Sequence, residues 1–292
     1  MPAVSATEQL RVTANGLTFG ALAWGAPDAP LALLVHGYPD TAWTWRHLGP
    51  YLAERGWRAV APFTRGYAPT DLAPDDRYLV DDLAEDVLAL HAALGADERA
   101  VLIGHDWGAV TTWAVTGRDG GRFARHVALA VPPPIALLRP WTSPRTLALA
   151  ARQARLSWYL VFNQVPGAER TLGSVIPKLW RDWSPGYDAQ EDLAHVRAAL
   201  DGPGRRRAAL RYYRDNLLGG AKATFTLKPG APALYLHGER DGCMQAELGA
   251  LYEPSLAPGS RFERVPGVGH FLQLEDPARV NALIDDWIGS PA

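Results

Sequence analysis

A carboxylate that attacks a saturated carbon leaves an ester, which water can later open at the carboxyl's own carbonyl carbon. The segment Gly104-His105-Asp106-Trp107-Gly108 has the residues for that chemistry. An apolar run, Ala100–Gly104, leads directly into a helical pattern from Trp107, with small residues on both sides of the apex. Such a strand–turn–helix elbow exposes a nucleophile above the end of a sheet; its apex normally carries serine and here carries Asp106. Serine suits attack on a carbonyl, but on a saturated carbon it would leave an ether that activated water does not readily break. Asp106 is therefore read as the nucleophile of a displacement at an sp3 carbon, the plainer alternative being an N-cap for the helix.

Opening the ester calls for a base. His270, in Pro266-Gly267-Val268-Gly269-His270-Phe271, is expected to take the proton from water as a neutral imidazole. Asp241, in His237-Gly238-Glu239-Arg240-Asp241-Gly242, is expected to fix the imidazole tautomer. Glu239 competes for that role, and Asp241-Gly242 is also a turn signal. The order Asp106, Asp241, His270 is similar to the nucleophile–acid–histidine order of α/β-hydrolases. In His36-Gly37-Tyr38-Pro39, the Tyr38 N–H is expected to join that of Trp107 around the oxyanion, with a cis bond before Pro39. No His/Cys/Asp set has metal-ligand spacing, Cys243 is read as inert, and no cofactor is implied.

These groups must be held by a scaffold, and the scaffold is visible as a pattern. Glu8–Gly16 and Leu17–Gly25 read as strands joined at Asn15-Gly16. Leu31–Gly37, Trp57–Phe63, Ala100–Gly104, His126–Val131 and Ala233–Gly238 are short apolar runs typical of strands buried on both faces, with Arg261–Val265 closing the set. Helical stretches alternate with them, one running from Thr41 to about Gly56 and another carrying Val80, Leu83, Val87, Leu90 and Leu94 at helical spacing. The expectation is a mostly parallel, twisted α/β sheet with helices on both faces. His36, Asp106, Asp241 and His270 then follow successive strands at the carboxyl edge, where ligands bind. Residues 137–222 contain no buried-strand run. They read as a helical cap inserted after the sixth strand, with 1–136 and 223–292 forming the core domain.

The chain has 292 residues, and Lys+Arg 29 against Asp+Glu 31 gives a net charge of −2, with no excess for nucleic acid or anionic lipid. One cysteine permits no internal disulfide, and the first residues have no basic and apolar leader, so a cytoplasmic setting is expected. The apolar stretch Val127–Leu138 is too short to span a bilayer and contains three prolines.

Over nearly its whole length the chain resembles the epoxide hydrolases of the α/β-hydrolase fold. The resemblance rests on His36-Gly37-Tyr38-Pro39, Trp43, Trp45-Arg46, Arg65-Gly66-Tyr67, the Asp106 elbow and Gly269-His270-Phe271. Haloalkane dehalogenases share an Asp-Trp elbow, and fluoroacetate dehalogenases follow the nucleophile with Arg rather than Trp107. In the inserted segment, Ser157-Trp158-Tyr159 and Arg211-Tyr212-Tyr213-Arg214 resemble the stretches in which epoxide hydrolases carry two phenols over the nucleophile. The resemblance implies that Tyr159 and Tyr213 hydrogen-bond the epoxide oxygen, Tyr212 being the neighbour most easily confused with Tyr213. It further implies that His36, Pro39, Trp158 and Phe271 line the substrate pocket. The expected partners are water and a small apolar epoxide, opened without cofactor to a vicinal diol. A dehalogenase and a non-catalytic ligand-binding relative are the other readings.

Overall fold

The computed structural model describes residues 7–134, 143–218 and 228–291. The interior strands form around nearly continuous apolar runs, with charged or imidazole residues confined to their ends. β3 (Leu31–Val35), β4 (Arg58–Pro62), β5 (Val101–His105) and β7 (Ala233–Gly238) are buried at every position, and β6 (Arg125–Leu129) at all but its first. Burial of successive residues, which point to opposite faces, requires cover on both sides of the sheet. β1 (Glu8–Ala14) and β2 (Leu17–Trp24) form the antiparallel hairpin, and β8 (Arg261–Val265) is a half-exposed edge. The eight strands run in the order β1-β2-β4-β3-β5-β6-β7-β8 and are parallel from β4 to β8.

Cover comes from α1 (Leu48–Ala53), α2 (Val80–Ala93), α3 (Trp107–Asp119) and, beyond the sixth strand, further helices. Between β6 and β7 the described chain is helical: α4 (Pro144–Leu156), α5 (Trp158–Phe162), α6 (Leu172–Trp183), α7 (Gln190–Ala199) and α8 (Arg205–Tyr213). After β7 come α9 (Ala246–Tyr252), α10 (Leu272–Glu275) and α11 (Pro277–Ile288). α2 packs with α3, and α1 packs with α11. The expected boundaries of the insertion, 136/137 and 222/223, lie outside the described residues.

One expectation needs correction. The single helix read from Thr41 to Gly56 is broken into a 3-10 turn, Ala42–Trp45, and α1. Pro50 has no N–H and its ring would clash with the carbonyl four residues earlier, so it is accommodated in the first turn of a new helix. No helix among the described residues is long and apolar enough to cross a membrane.

Candidate active site

Asp106 joins β5 to α3 with φ 52° and ψ −114°, a backbone region that a non-glycine residue rarely enters. The turn exists because its neighbours are bare. A Cβ on Gly104 would sit 2.1 Å from the Gly108 carbonyl oxygen, and one on Gly108 would sit 2.0 Å from that of Val35. Gly37 matters for the same reason: a side chain there would lie 2.4 Å from Asp106 Oδ1 and 2.6 Å from the Trp107 amide nitrogen. Its absence lets the loop after β3 close on the elbow, and the Tyr38 N–H donates to Asp106 Oδ1 at 2.7 Å. The Trp107 amide belongs to the first turn of α3, whose N–H groups point out of the helix end. The Tyr38 amide thus meets the carboxylate directly, and both Asp106 Oδ1 and the Trp107 amide nitrogen line the space beside Gly37. The Tyr38–Pro39 peptide is cis.

His270 faces Asp106 from the loop between β8 and α10. Its Nε2 lies 3.6 Å from Asp106 Oδ2 and has no hydrogen-bond partner among the described residues. Its Nδ1 donates to Asp241 Oδ2 at 2.9 Å; a carboxylate only accepts, so Nδ1 carries the proton. Asp241 Oδ1 accepts from the amides of Cys243 at 2.7 Å and Met244 at 2.9 Å. Burial alone would raise the Asp241 carboxyl, but His270 and His237 hold it well below the usual carboxylate range. Burial opposes a charge on His270 too, yet Asp241 and Asp106, on either side, push the imidazole up to about 10. Glu239, the rival acid, is exposed.

The raised imidazole has a consequence for stability. A base whose folded pKa lies above its ordinary 6.5 stabilises the fold fully below about pH 6.5 and loses that contribution as pH rises through about 10. The melting-temperature gap between wild type and His270→Gln should accordingly narrow between about pH 6 and about pH 10. A gap that stays constant across that window would show that the charge on His270 is not held by the fold.

Over the carboxylate stand two phenols from the helical segment. Tyr213, at the end of α8, packs edge-on against Tyr38 and Trp107, both at 5.1 Å between ring centres, and against Tyr159 at 5.8 Å. Tyr159, on α5, also meets Trp183 at 4.9 Å, and its hydroxyl lies 3.3 Å from Cys243 Sγ. Burial raises both phenols well above their ordinary pKa, with the Asp106 charge adding to the effect, so both are neutral donors. Tyr212 is separated from them by its bond: its hydroxyl donates to the Arg65 carbonyl at 2.8 Å.

The four residues expected to line the pocket have these partners in the fold. His36 has both ring nitrogens occupied by backbone: Nε2 accepts from Thr64 N–H at 2.9 Å and Nδ1 donates to the Gly37 carbonyl at 2.9 Å. It braces the loop that presents Tyr38, and burial pushes it down to about 4, so it stays neutral. Pro39 offers its carbonyl to Trp180 Nε1 at 2.9 Å and so anchors the same loop to α6. Trp158 neighbours Tyr159 on α5 but is turned by the helical step to pack on Phe162, with the Lys178 ammonium 5.6 Å from its ring. Phe271 is fully buried and stacked on Trp180 at 3.5 Å, behind the imidazole.

Sequence reading missed the residues that fasten the catalytic loops to α6. The Trp183 carbonyl accepts from His270 N–H at 3.0 Å and Gly242 N–H at 3.1 Å. Ser184 Oγ accepts from Phe271 N–H at 3.0 Å and donates to Glu275 Oε1 at 2.6 Å, whose Oε2 accepts from Gly269 N–H at 2.8 Å. His105 Nε2 donates to the His270 carbonyl at 3.0 Å, with Asp40 Oδ2 3.9 Å from its Nδ1. No local motif marks these contacts, which span 85 residues or more in most cases. The fold also gathers Asp241, Cys243 and His270 with potential ligand atoms within 4.8 Å, which their sequence spacing did not suggest. Asp241 and His270 are bonded to each other, and Cys243 faces Tyr159.

Comparison with known proteins bears on the fold and the family. A family profile described as the alpha/beta hydrolase fold matches residues 30–277. The chain is 30% identical to Epoxide hydrolase A of Mycobacterium tuberculosis, covering 97% of each. It is 35% identical to Epoxide hydrolase 2 of Siraitia grosvenorii, covering 96% of this chain and 98% of that one. Among solved structures, the epoxide hydrolase VrEH1 from Vigna radiata superposes with a TM-score of 0.76 at 26% identity, covering 97% and 98% of the two chains.

Proposed function

The chain belongs to the α/β-hydrolase fold family, and we propose that it is an epoxide hydrolase working through an aspartyl ester, with the helices between β6 and β7 acting as a cap over Asp106. The observation that carries this reading is the pair of neutral phenols, Tyr159 and Tyr213, packed over an elbow carboxylate rather than a serine. Asp106 Oδ attacks a ring carbon; the C–O bond breaks and its electron pair goes to oxygen. An alkoxide is a poor leaving group, and two phenols stabilise it as it forms, one of them giving up its proton. Indole and amide donors alone would suffice for a halide.

Esterification removes the charge on Asp106. One of the two carboxylates that hold a proton on His270 is then gone, and the imidazole releases that proton to the phenolate, restoring the phenol. Neutral His270 Nε2 takes a proton from water, which attacks the ester carbonyl, while the Tyr38 and Trp107 amides hold the oxyanion. Collapse frees Asp106 and a vicinal diol. The rings of Tyr38, Trp107, Trp183 and the two phenols favour an apolar substrate.

The test is diol formation from a panel of aliphatic, styrene-type and polycyclic epoxides, with haloalkanes as controls. Tyr159→Phe and Tyr213→Phe should each lower ester formation about 10²-fold, the scale for removing one donor from a developing oxyanion, and the double variant far more. Halide release from haloalkanes that survives in the double variant, with no diol from any epoxide in wild type, would make the protein a dehalogenase.

A further inference from the structure

The two phenols over Asp106 differ in their own partners. Tyr213's hydroxyl has none among the described residues, whereas Tyr159's lies 3.3 Å from the buried Cys243 Sγ. Cys243 is itself fixed, because its N–H donates to Asp241 Oδ1 at 2.7 Å, on the loop that orients His270. A phenol is a good donor and sulfur a weak acceptor, so the Tyr159 O–H points at Cys243 Sγ in the resting enzyme. That bond must be released before Tyr159 donates to a substrate oxygen.

We propose that Cys243 is a positioning residue that holds the Tyr159 proton with a deliberately weak bond, so that Tyr213 makes the first contact with the epoxide oxygen and Tyr159 joins at little cost. The inference rests on the acid-pair reading given above. A stronger acceptor at this place would compete with substrate for the same proton. Burial raises the thiol well above its ordinary pKa, so it stays protonated and does not rival Asp106 as a nucleophile.

Serine is the informative replacement. In Cys243→Ser the resting bond becomes O–H to oxygen, and the epoxide concentration for half-maximal ester formation should rise about three- to tenfold. The maximal rate should change less than about twofold, because the bond is already lost in the bound complex and cancels in the chemical step. In a Tyr159→Phe background the serine effect should vanish, since no proton remains to be held. Cys243→Ala, which removes the acceptor, should bind substrate at least as well as wild type. Cys243 is the sole cysteine, so the infrared S–H stretch of the protein belongs to it alone, and Tyr159→Phe should shift that band in substrate-free enzyme. Unchanged substrate dependence in Cys243→Ser, an effect that persists without Tyr159, weaker binding in Cys243→Ala, or an unmoved S–H band would each overturn the proposal. A wild-type chain that opens no epoxide would sink the acid-pair reading instead, even with the band shift in place.

Discussion

Asp106→Asn is expected to abolish diol formation, with a loss of about 10⁴-fold or more, the scale for removing a covalent nucleophile. Asparagine is nearly isosteric and keeps an oxygen to accept from the Tyr38 N–H, so the elbow at φ 52° and the loop held through Gly37 need not move. What is lost is the negative charge and the lone pair that attacks carbon. Slow recovery on standing would mean that the amide has been hydrolysed back to Asp106. Wild-type enzyme in excess over epoxide, in 18O-labelled water, distinguishes routes independently: the first diol should carry unlabelled oxygen from Asp106, and label should enter only on later turnovers. A first product that already carries the label would mean that water attacks the epoxide directly. Asp106, whose side chain makes no capping bond to α3, would then be a base, and the sp3 displacement would have to be abandoned.

The parts of this site that were legible in the chain are those fixed by local rules. Continuous apolar runs mark β3, β5 and β7 because only strands covered on both faces tolerate them, and the residues immediately beyond such strands reach the ligand-binding edge. Asp106, Asp241 and His270 stand in the segments that follow such strands, and the fold brings the three within contact of one another. Side-chain direction was not legible in the same way. Tyr212 and Tyr213 differ by about 100° around a helix, and only the packing of α8 decides which meets Asp106 and which bonds Arg65. The same step turns Trp158 away from Tyr159. His36 is bonded by one backbone donor, the Thr64 N–H, and one backbone acceptor, the Gly37 carbonyl, and Phe271 stacks on Trp180, contacts that no motif specifies. Cys243 has no reactive or metal-ligand motif around it, and its contact with Tyr159 lies 84 residues away in sequence.

Long-range contacts of this kind also explain why the insertion is more than a lid. The end of α6 supplies the Trp183 carbonyl to both the Asp241 loop and the His270 loop, and α6 also donates an indole N–H to the loop that bears Tyr38. α7 adds a second fastening, with Asp192 paired to Arg46 and bonded by Tyr187. Tyr38, Asp241 and His270 are therefore fastened by α6, a neighbour in sequence of the helices α5 and α8 that carry Tyr159 and Tyr213. A displacement of those helices would disturb both steps together.

Removing the base should separate the two steps cleanly. In His270→Gln, ester formation remains possible, because attack by Asp106 needs the phenols and not a base. Hydrolysis has lost the group that takes the water proton, since the Asp106–Asp241 distance is bridged only by His270 among the described residues. Steady-state turnover should fall about 10⁴-fold or more while one equivalent of epoxide remains attached to the protein. Intact mass spectrometry should show a gain equal to one substrate molecule, and peptide mapping should place it on Asp106. Asp241→Asn should behave in the same direction but less completely: the amide can still contact Nδ1, while the charge that contributes most to keeping His270 at about 10 is lost. In that variant the imidazole should titrate nearer its ordinary value, and the ester should accumulate to a lesser extent. If His270→Gln turns over at a normal rate, or if it is inactive without ever becoming labelled although Tyr159 and Tyr213 are intact, the division of labour between carboxylate and imidazole is wrong. The second outcome is the more instructive, because it would mean that the imidazolium is needed to keep Asp106 in the reactive form.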